Sequence, residues 1–186
     1  ALGLMSGTSL DGIDASILVS NGENIIDIKK NYYMPYKKDL KKRLENYIAS
    51  IEDIDDIKSS QKEYDKLERD LTIEHSNISK KIIKESQIKI DIIGFHGQTI
   101  IHKPKKKYSI QMGDGNLLSK LLKTKVVFNF RKKDIENGGE GAPLTPIYHF
   151  KISKMLKIPE PNIFLNIGGI TNYTYISDEN FKAKDF

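Results

Sequence analysis

Leu4-Met5-Ser6-Gly7-Thr8-Ser9-Leu10-Asp11-Gly12-Ile13-Asp14 sets two glycines, three hydroxyls and two carboxylates in a short turn. Apolar runs at residues 2–4 and 13–19 flank it, so the pattern reads strand, tight polar loop, returning strand. Glycine lets backbone N–H groups approach an anion closely, and small hydroxyls add donors without bulk. The stretch therefore suits either a phosphate cradle or a plain hairpin turn. It is not the P-loop, since Gly-x-x-x-x-Gly-Lys-Ser/Thr occurs nowhere in the chain.

Composition narrows the class. The 186 residues are 38% hydrophobic and 30% charged, as in globular proteins, with enough chain for one solid core or one domain and part of another. The net charge of +5 raises nucleic-acid binding, but the lysines are scattered among 25 acidic residues and the only arginines are Arg43, Arg69 and Arg131. The densest basic run, Lys103 to Lys107, is broken by Pro104. No nucleic-acid partner is expected. Without cysteine there is no disulfide framework, thiolate metal site or catalytic thiol. No apolar run approaches bilayer length, so no membrane partner and a cytoplasmic location are expected.

Along the chain, residues 1–5, 14–19 and 24–33 read as strands, with a hairpin signal at Asn21-Gly22. Leu40, Leu44, Tyr47, Ile48 and Ile51 predict a helix over 37–51. Residues 52–56 read as an acidic linker. From Ser60 a long helix is predicted, with Tyr64, Leu67, Leu71, Ile78 and Ile82 on its apolar stripe and His75 half-buried among them. Residues 88–95 and 125–130 read as buried strands, 100–102 and 108–112 as a hairpin. Asp114 or Asn116 can cap a short helix ending at Leu122. Residues 134–143 form a glycine-rich loop, 144–156 a helix with Pro146 in its first turn. Beyond Pro159 and Pro161, strands at 162–166 and 173–176 enclose Gly168-Gly169-Ile170-Thr171, an echo of the opening loop.

Two such loops, each opening a strand-led region, suggest two lobes gripping a polyphosphate from opposite sides. Phosphoryl transfer needs mainly positioning, Mg²⁺ and charge neutralisation, which backbone donors and hydroxyls can help supply. Between the loops, His96-Gly97-Gln98-Thr99 ends one buried strand, where α/β sheets present ligand groups. Arg131 and Asp134 follow another. Asp134 suits a general base, a Mg²⁺ ligand or a helix cap. His102 and His149 have no metal-ligand spacing with His96, so no zinc site is expected.

Six motifs in one order then resemble a family. Gly3-Leu4-Met5-Ser6-Gly7-Thr8-Ser9-Leu10-Asp11-Gly12, His96-Gly97-Gln98-Thr99, Gln111-Met112-Gly113-Asp114, Asn129-Phe130-Arg131 with Asp134, Gly139-Glu140-Gly141-Ala142-Pro143 and Asn166-Ile167-Gly168-Gly169-Ile170-Thr171-Asn172 resemble the anhydro-N-acetylmuramic acid kinases, of the actin-like sugar-kinase superfamily. The resemblance covers nearly the whole chain and is weakest over 24–89. It implies an α/β fold: an actin-like, ribonuclease H-like lobe over 1–157, with a mixed sheet flanked by helices, and the start of a second lobe over 158–186. It also implies ATP and Mg²⁺ as cofactors, a 1,6-anhydro-N-acetylmuramic acid substrate and a possible homodimer at full length. By motif, Gly7, Thr8, Ser9, Leu10, Asp11, Gly12, Ile13 and Asp14 would take the ATP phosphates, with Gly168 and Gly169 opposite. His96, Gln98, Thr99 and Arg131 would face the sugar, and Asp134 would be the general base.

The sequence departs from the family pattern at Asn129 and Glu140, where Asp and Gln are commoner; like the family, and unlike the wider superfamily, it has no acidic residue near Met5 to settle Mg²⁺ placement. The family's chains are also much longer. This one is therefore expected to be an N-terminal portion, inactive alone, with its strands beyond 162 frayed or abnormally paired. The alternative is a non-catalytic binding module of the same fold.

Overall fold

The computed structural model describes residues 1–167, 171–178 and 180–185. Its centre is β1 (Leu2–Ser6), which pairs antiparallel with β2 (Gly12–Ser20) on one side and parallel with β4 (Ile92–Lys103) on the other. The strand β3 (Ile25–Pro35) extends the sheet beyond β2. At the far edge, β4 meets two partners in succession: β6 (Lys125–Val127) along its start and β5 (Tyr108–Met112) along its end. This mixed six-stranded sheet flanked by helices matches the expected lobe.

The sheet's inner face is covered by α3 (Gln61–Ser86), backed by α1 (Lys38–Ala49). Leu67, Leu71, Ile78 and Ile82 recur at helical spacing, and all are at most 1% exposed. They pack over Leu2, Leu4, Ile13, Ile17 and Phe95, in one continuous core. The helix stops where Gln87 turns left-handed at φ 58°.

Several elements differ from the sequence reading. The acidic linker contains a helix, α2 (Ile54–Ser59), because Asp53 and Asp56 form a reciprocal capping box at its start. Residues 100–102 continue β4, so the hairpin is one long strand, a 3-10 turn at Pro104–Lys106, and β5. The strand β6 is short and half-exposed rather than buried, with Val127 45% exposed. Asn129 ends that segment in a left-handed turn at φ 58°. After α4 (Gly115–Leu122) and β6, the presumed loop begins with a helical turn, α5 (Lys132–Glu136), which carries Asp134. His75 is fully buried rather than half-buried. Its Nδ1 bonds Leu71 O at 2.9 Å, Nε2 has no partner among the described residues, and its ring packs edge-on to Phe95.

The helix α6 (Pro146–Met155) bridges to a second sheet. That sheet is an antiparallel meander of β7 (Asn162–Asn166), β8 (Asn172–Ser177) and β9 (Asn180–Asp185). Its register is regular from Asn162↔Ile176 to Ser177↔Asn180, so the expected abnormal pairing is not found. Hairpin pairing is local and needs no third neighbour to set its register.

Candidate active site

The opening loop joins β1 to β2. Its turn is closed by Leu10 N–H donating to Gly7 O at 3.2 Å, and Tyr36 N–H donates to Asp11 O at 3.1 Å. Thr8 and Ser9 lie exposed at the tip, and among the described residues their hydroxyls make no hydrogen bond. Leu10 and Ile13 turn into the core at 5% and 0% exposure, so their side chains anchor the loop. Gly12 begins β2, and Asp11 pairs with Lys41 at 3.5 Å. Asp14 points elsewhere, into a cavity of about 930 Å³ with His96, Phe130, Leu144 and Tyr148 in its wall. Burial there raises the Asp14 carboxyl above its ordinary value.

His96 to Thr99 lie within β4 rather than at its end, because the strand runs on to Lys103 against β5, and His96 is the hub of that polar stretch. Its Nδ1 bonds Gly97 O at 2.8 Å, leaving Nε2 to accept from Arg131 Nη2 at 2.9 Å. Burial lowers the imidazole's pKa, and the Arg131 charge lowers it further. A neutral ring, protonated at Nδ1, is the tautomer that satisfies both contacts. Arg131 also donates through Nη1 to Gly141 O at 2.6 Å, and Gly141 N–H donates to Asp134 Oδ2 at 2.7 Å. His96, Arg131, the glycine loop and Asp134 are thus one connected cluster. Gly139 packs so closely on Asp134 that a Cβ there would lie 2.2 Å from its Oδ2. Asp134 itself is exposed. On α5, Lys132, Ile135 and Glu136 instead line a separate cavity of about 440 Å³, with Glu68 and Gln111.

Gln98 departs from expectation. Strict alternation would put His96 and Gln98 on one face, looking into the cavity. The β1–β4 register instead pairs Leu4 with Phe95 and Ser6 with Gln98, so β4 carries one extra residue there. That bulge centres on Gly97, whose φ of 71° suits glycine and where a Cβ would lie 2.3 Å from Met112 O. It turns Gln98 to the inner face, at 0% exposure, while His96 faces out. Thr99 is half-buried, its hydroxyl 3.4 Å from Gln111 Nε2. Gly168 and Gly169 lie outside the described residues. Sequence reasoning passed over Ser6 and Tyr36 beneath the loop and Tyr148 in the cavity wall. Ser6 sat within the quoted motif, but the two tyrosines carry no local signal, because tertiary packing alone brings them there.

A family model for anhydro-N-acetylmuramic acid kinase matches residues 1–183. The chain belongs to that family. It is 48% identical over 180 residues to an anhydro-N-acetylmuramic acid kinase of Pelagibacter ubique (strain HTCC1062), covering 97% of this chain and 48% of the relative. The family's kinase from Brucella canis is 39% identical over 184 residues, and that of Agrobacterium fabrum 38% over 183, each match covering 96% of this chain and 49% of the relative. The chain therefore spans about half the length of the curated relatives it matches. A kinase family implies ATP as phosphoryl donor. The donor set of the opening loop fits polyphosphate, with free hydroxyls at the tip on a backbone pinned from below. Among the described residues, no group of three or more His, Asp or Glu side chains is placed to hold a metal ion, and no helix is long and apolar enough to cross a membrane.

Proposed function

We propose that this chain supplies the phosphate-loop lobe of a cytoplasmic kinase that opens the 1,6-anhydro ring of 1,6-anhydro-N-acetylmuramic acid and phosphorylates O6 with ATP. The observation that carries the reading is the adjacency of two sites: the open hydroxyl loop after β1, and the cluster in which His96, within the neighbouring β4, meets Arg131 and Asp134 from the segment after β6. Gly7 to Asp11 take the ATP phosphates, with Gly168 and Gly169 as their counterpart. Mg²⁺, arriving with the nucleotide, neutralises polyphosphate charge, as in other phosphoryl transfers.

On the sugar side, Asp134 takes a proton from water as its oxygen attacks the anomeric carbon. The C1–O6 bond breaks and O6 attacks the γ-phosphoryl group, releasing ADP. A phosphoryl group thus replaces the proton that an inverting glycosidase delivers to its leaving oxygen, so a single carboxylate suffices. His96 and Arg131 bind sugar polar groups, and Arg131 also fixes the glycine loop.

A second reading of Asp134 follows from its bond to Gly141: the carboxylate orders the glycine loop and takes no proton. Two variants of the full-length enzyme separate these roles. Asp134→Asn keeps an acceptor for Gly141 N–H but loses the base. Under the base reading it lowers turnover by about 10²–10⁴-fold with Mg·ATP affinity retained. Near-normal turnover in Asp134→Asn, with loss only in Asp134→Ala, would overturn the base and leave the loop-ordering role.

A further inference from the structure

Beneath the opening loop lies a buried polar chain with no part in the chemistry above. Ser6 Oγ donates to Gln98 Oε1 at 2.5 Å and lies 2.6 Å from the Tyr36 hydroxyl. All three residues are enclosed, at 1%, 0% and 7% exposure. A serine hydroxyl has one proton, and Gln98 holds it, so Tyr36 is the donor in the other contact. Burial drives the Tyr36 phenol above its ordinary range, which keeps it protonated and able to donate. The order is therefore Tyr36 O–H to Ser6 O–H to Gln98 Oε1, and Gln98 Nε2 closes it on Thr99 O at 3.3 Å. Every member is satisfied, the condition under which a buried network makes one geometry rigid.

Its placement gives it a task. Ser6 is the last residue of β1 and the first support of the loop, Tyr36 follows β3, and Gln98 is the β4 residue just after the bulge at Gly97. Tyr36 grips the loop a second time through its N–H on Asp11 O. The chain thus clamps both ends of the loop to the strand whose other face carries His96.

We propose that Tyr36, Ser6 and Gln98 form a positioning relay that fixes the phosphate loop against β4. Gln98 acts through Ser6 and does not touch the sugar. The proposal rests on residues 7–11 being the nucleotide-phosphate loop.

The test uses the full-length enzyme, measuring amide exchange and Mg·ATP binding by calorimetry for wild type, Tyr36→Phe, Ser6→Ala and their double variant. Tyr36→Phe removes one hydroxyl and keeps the ring, so it preserves packing even if Gln98→Leu fails to fold. The loop's own bonded amides, Leu10 and Tyr36, are expected to exchange about tenfold faster, while Leu4 and Phe95 in the strands stay within twofold. The double variant should match Ser6→Ala alone, because the relay passes through Ser6. Wild type should bind Mg·ATP and the single variants about fivefold more weakly. Equal acceleration at all four amides, additivity in the double variant, or unchanged Mg·ATP affinity beside a binding wild type would overturn the relay. A wild type that does not bind Mg·ATP overturns the nucleotide reading instead, and the exchange pattern still decides whether the relay holds the loop.

Discussion

Leu2 and Leu4 of β1 are 0% and 3% exposed, whereas Ile163 and Leu165 of β7 are 62% and 57% exposed, though each strand opens an antiparallel meander of three. The local pairing is the same. What differs is the cover. The outer edge of β1 is occupied by β4 and its inner face by α3. Among the described residues β7 pairs with β8 alone, and α6 covers one of its faces, where His149 stacks on Phe164 at 4.9 Å between ring centroids. Alternating apolar residues therefore form strands wherever a hairpin can close, but they become core only when distant elements arrive.

The largest expected effect breaks the comparison at matched leucines. Leu4→Ala opens a cavity under α3 and should cost about 2–5 kcal/mol in urea unfolding. Leu165→Ala removes an already exposed side chain and should stay within about 0.5 kcal/mol. Equal costs would mean that β7 is covered as fully as β1.

Next is a difference between two histidines. His75, in the core beside Phe95, has its pKa lowered by burial to about 4, while His149, against the second meander, is lowered for the same reason. In both cases folding favours the neutral ring, and the unfolded chain binds the extra proton. The stabilisation is complete above the unfolded value near pH 6.5 and is lost as pH falls towards the folded value. For His75 that loss is roughly 3 kcal/mol by pH 4. Unfolding measured between pH 7 and pH 4 should therefore be much flatter in His75→Leu than in wild type. An unchanged slope would assign the acid sensitivity elsewhere.

These contrasts also mark where the sequence was legible. The helices α1 and α3 could be read because their apolar stripes run for several turns, and the six motifs marked the polar stretches. Helix α2 was hidden because Asp53 and Asp56, a capping pair, also look like linker charge. The strand β6 was over-read because Val126 and Phe128 pack against the core while Val127, between them, is left 45% exposed. The inward facing of Gln98 was not legible, because its side depends on one bulged residue, which exists only where Gly97 meets Met112 across the hairpin. Periodicity is local information. The facing of a site residue next to a bulge is not.

A smaller effect sharpens the boundary between α6 and the second meander. Thr174 is 1% exposed, and its hydroxyl lies 2.8 Å from His149 Nδ1. Thr174→Val keeps the shape and removes that bond, at a cost of about 1 kcal/mol. The loss should appear as faster amide exchange in β8 and β9, with β1 to β3 unchanged. Acceleration in both meanders would show that they open as one unit.

The smallest effect concerns a polar link from α6 to the first meander's edge, Lys151 Nζ donating to Asn24 Oδ1 at 3.2 Å. Both groups are near solvent, so water replaces the bond readily, and the long lysine chain loses rotamer freedom in making it. Lys151→Ala should therefore change stability by less than about 0.5 kcal/mol and leave exchange in both meanders as it was. A larger loss, confined to β3 and β8, would mean that α6 transmits strain from one sheet to the other. The second meander would then owe its order to the first, and its own hairpin pairing would no longer account for it.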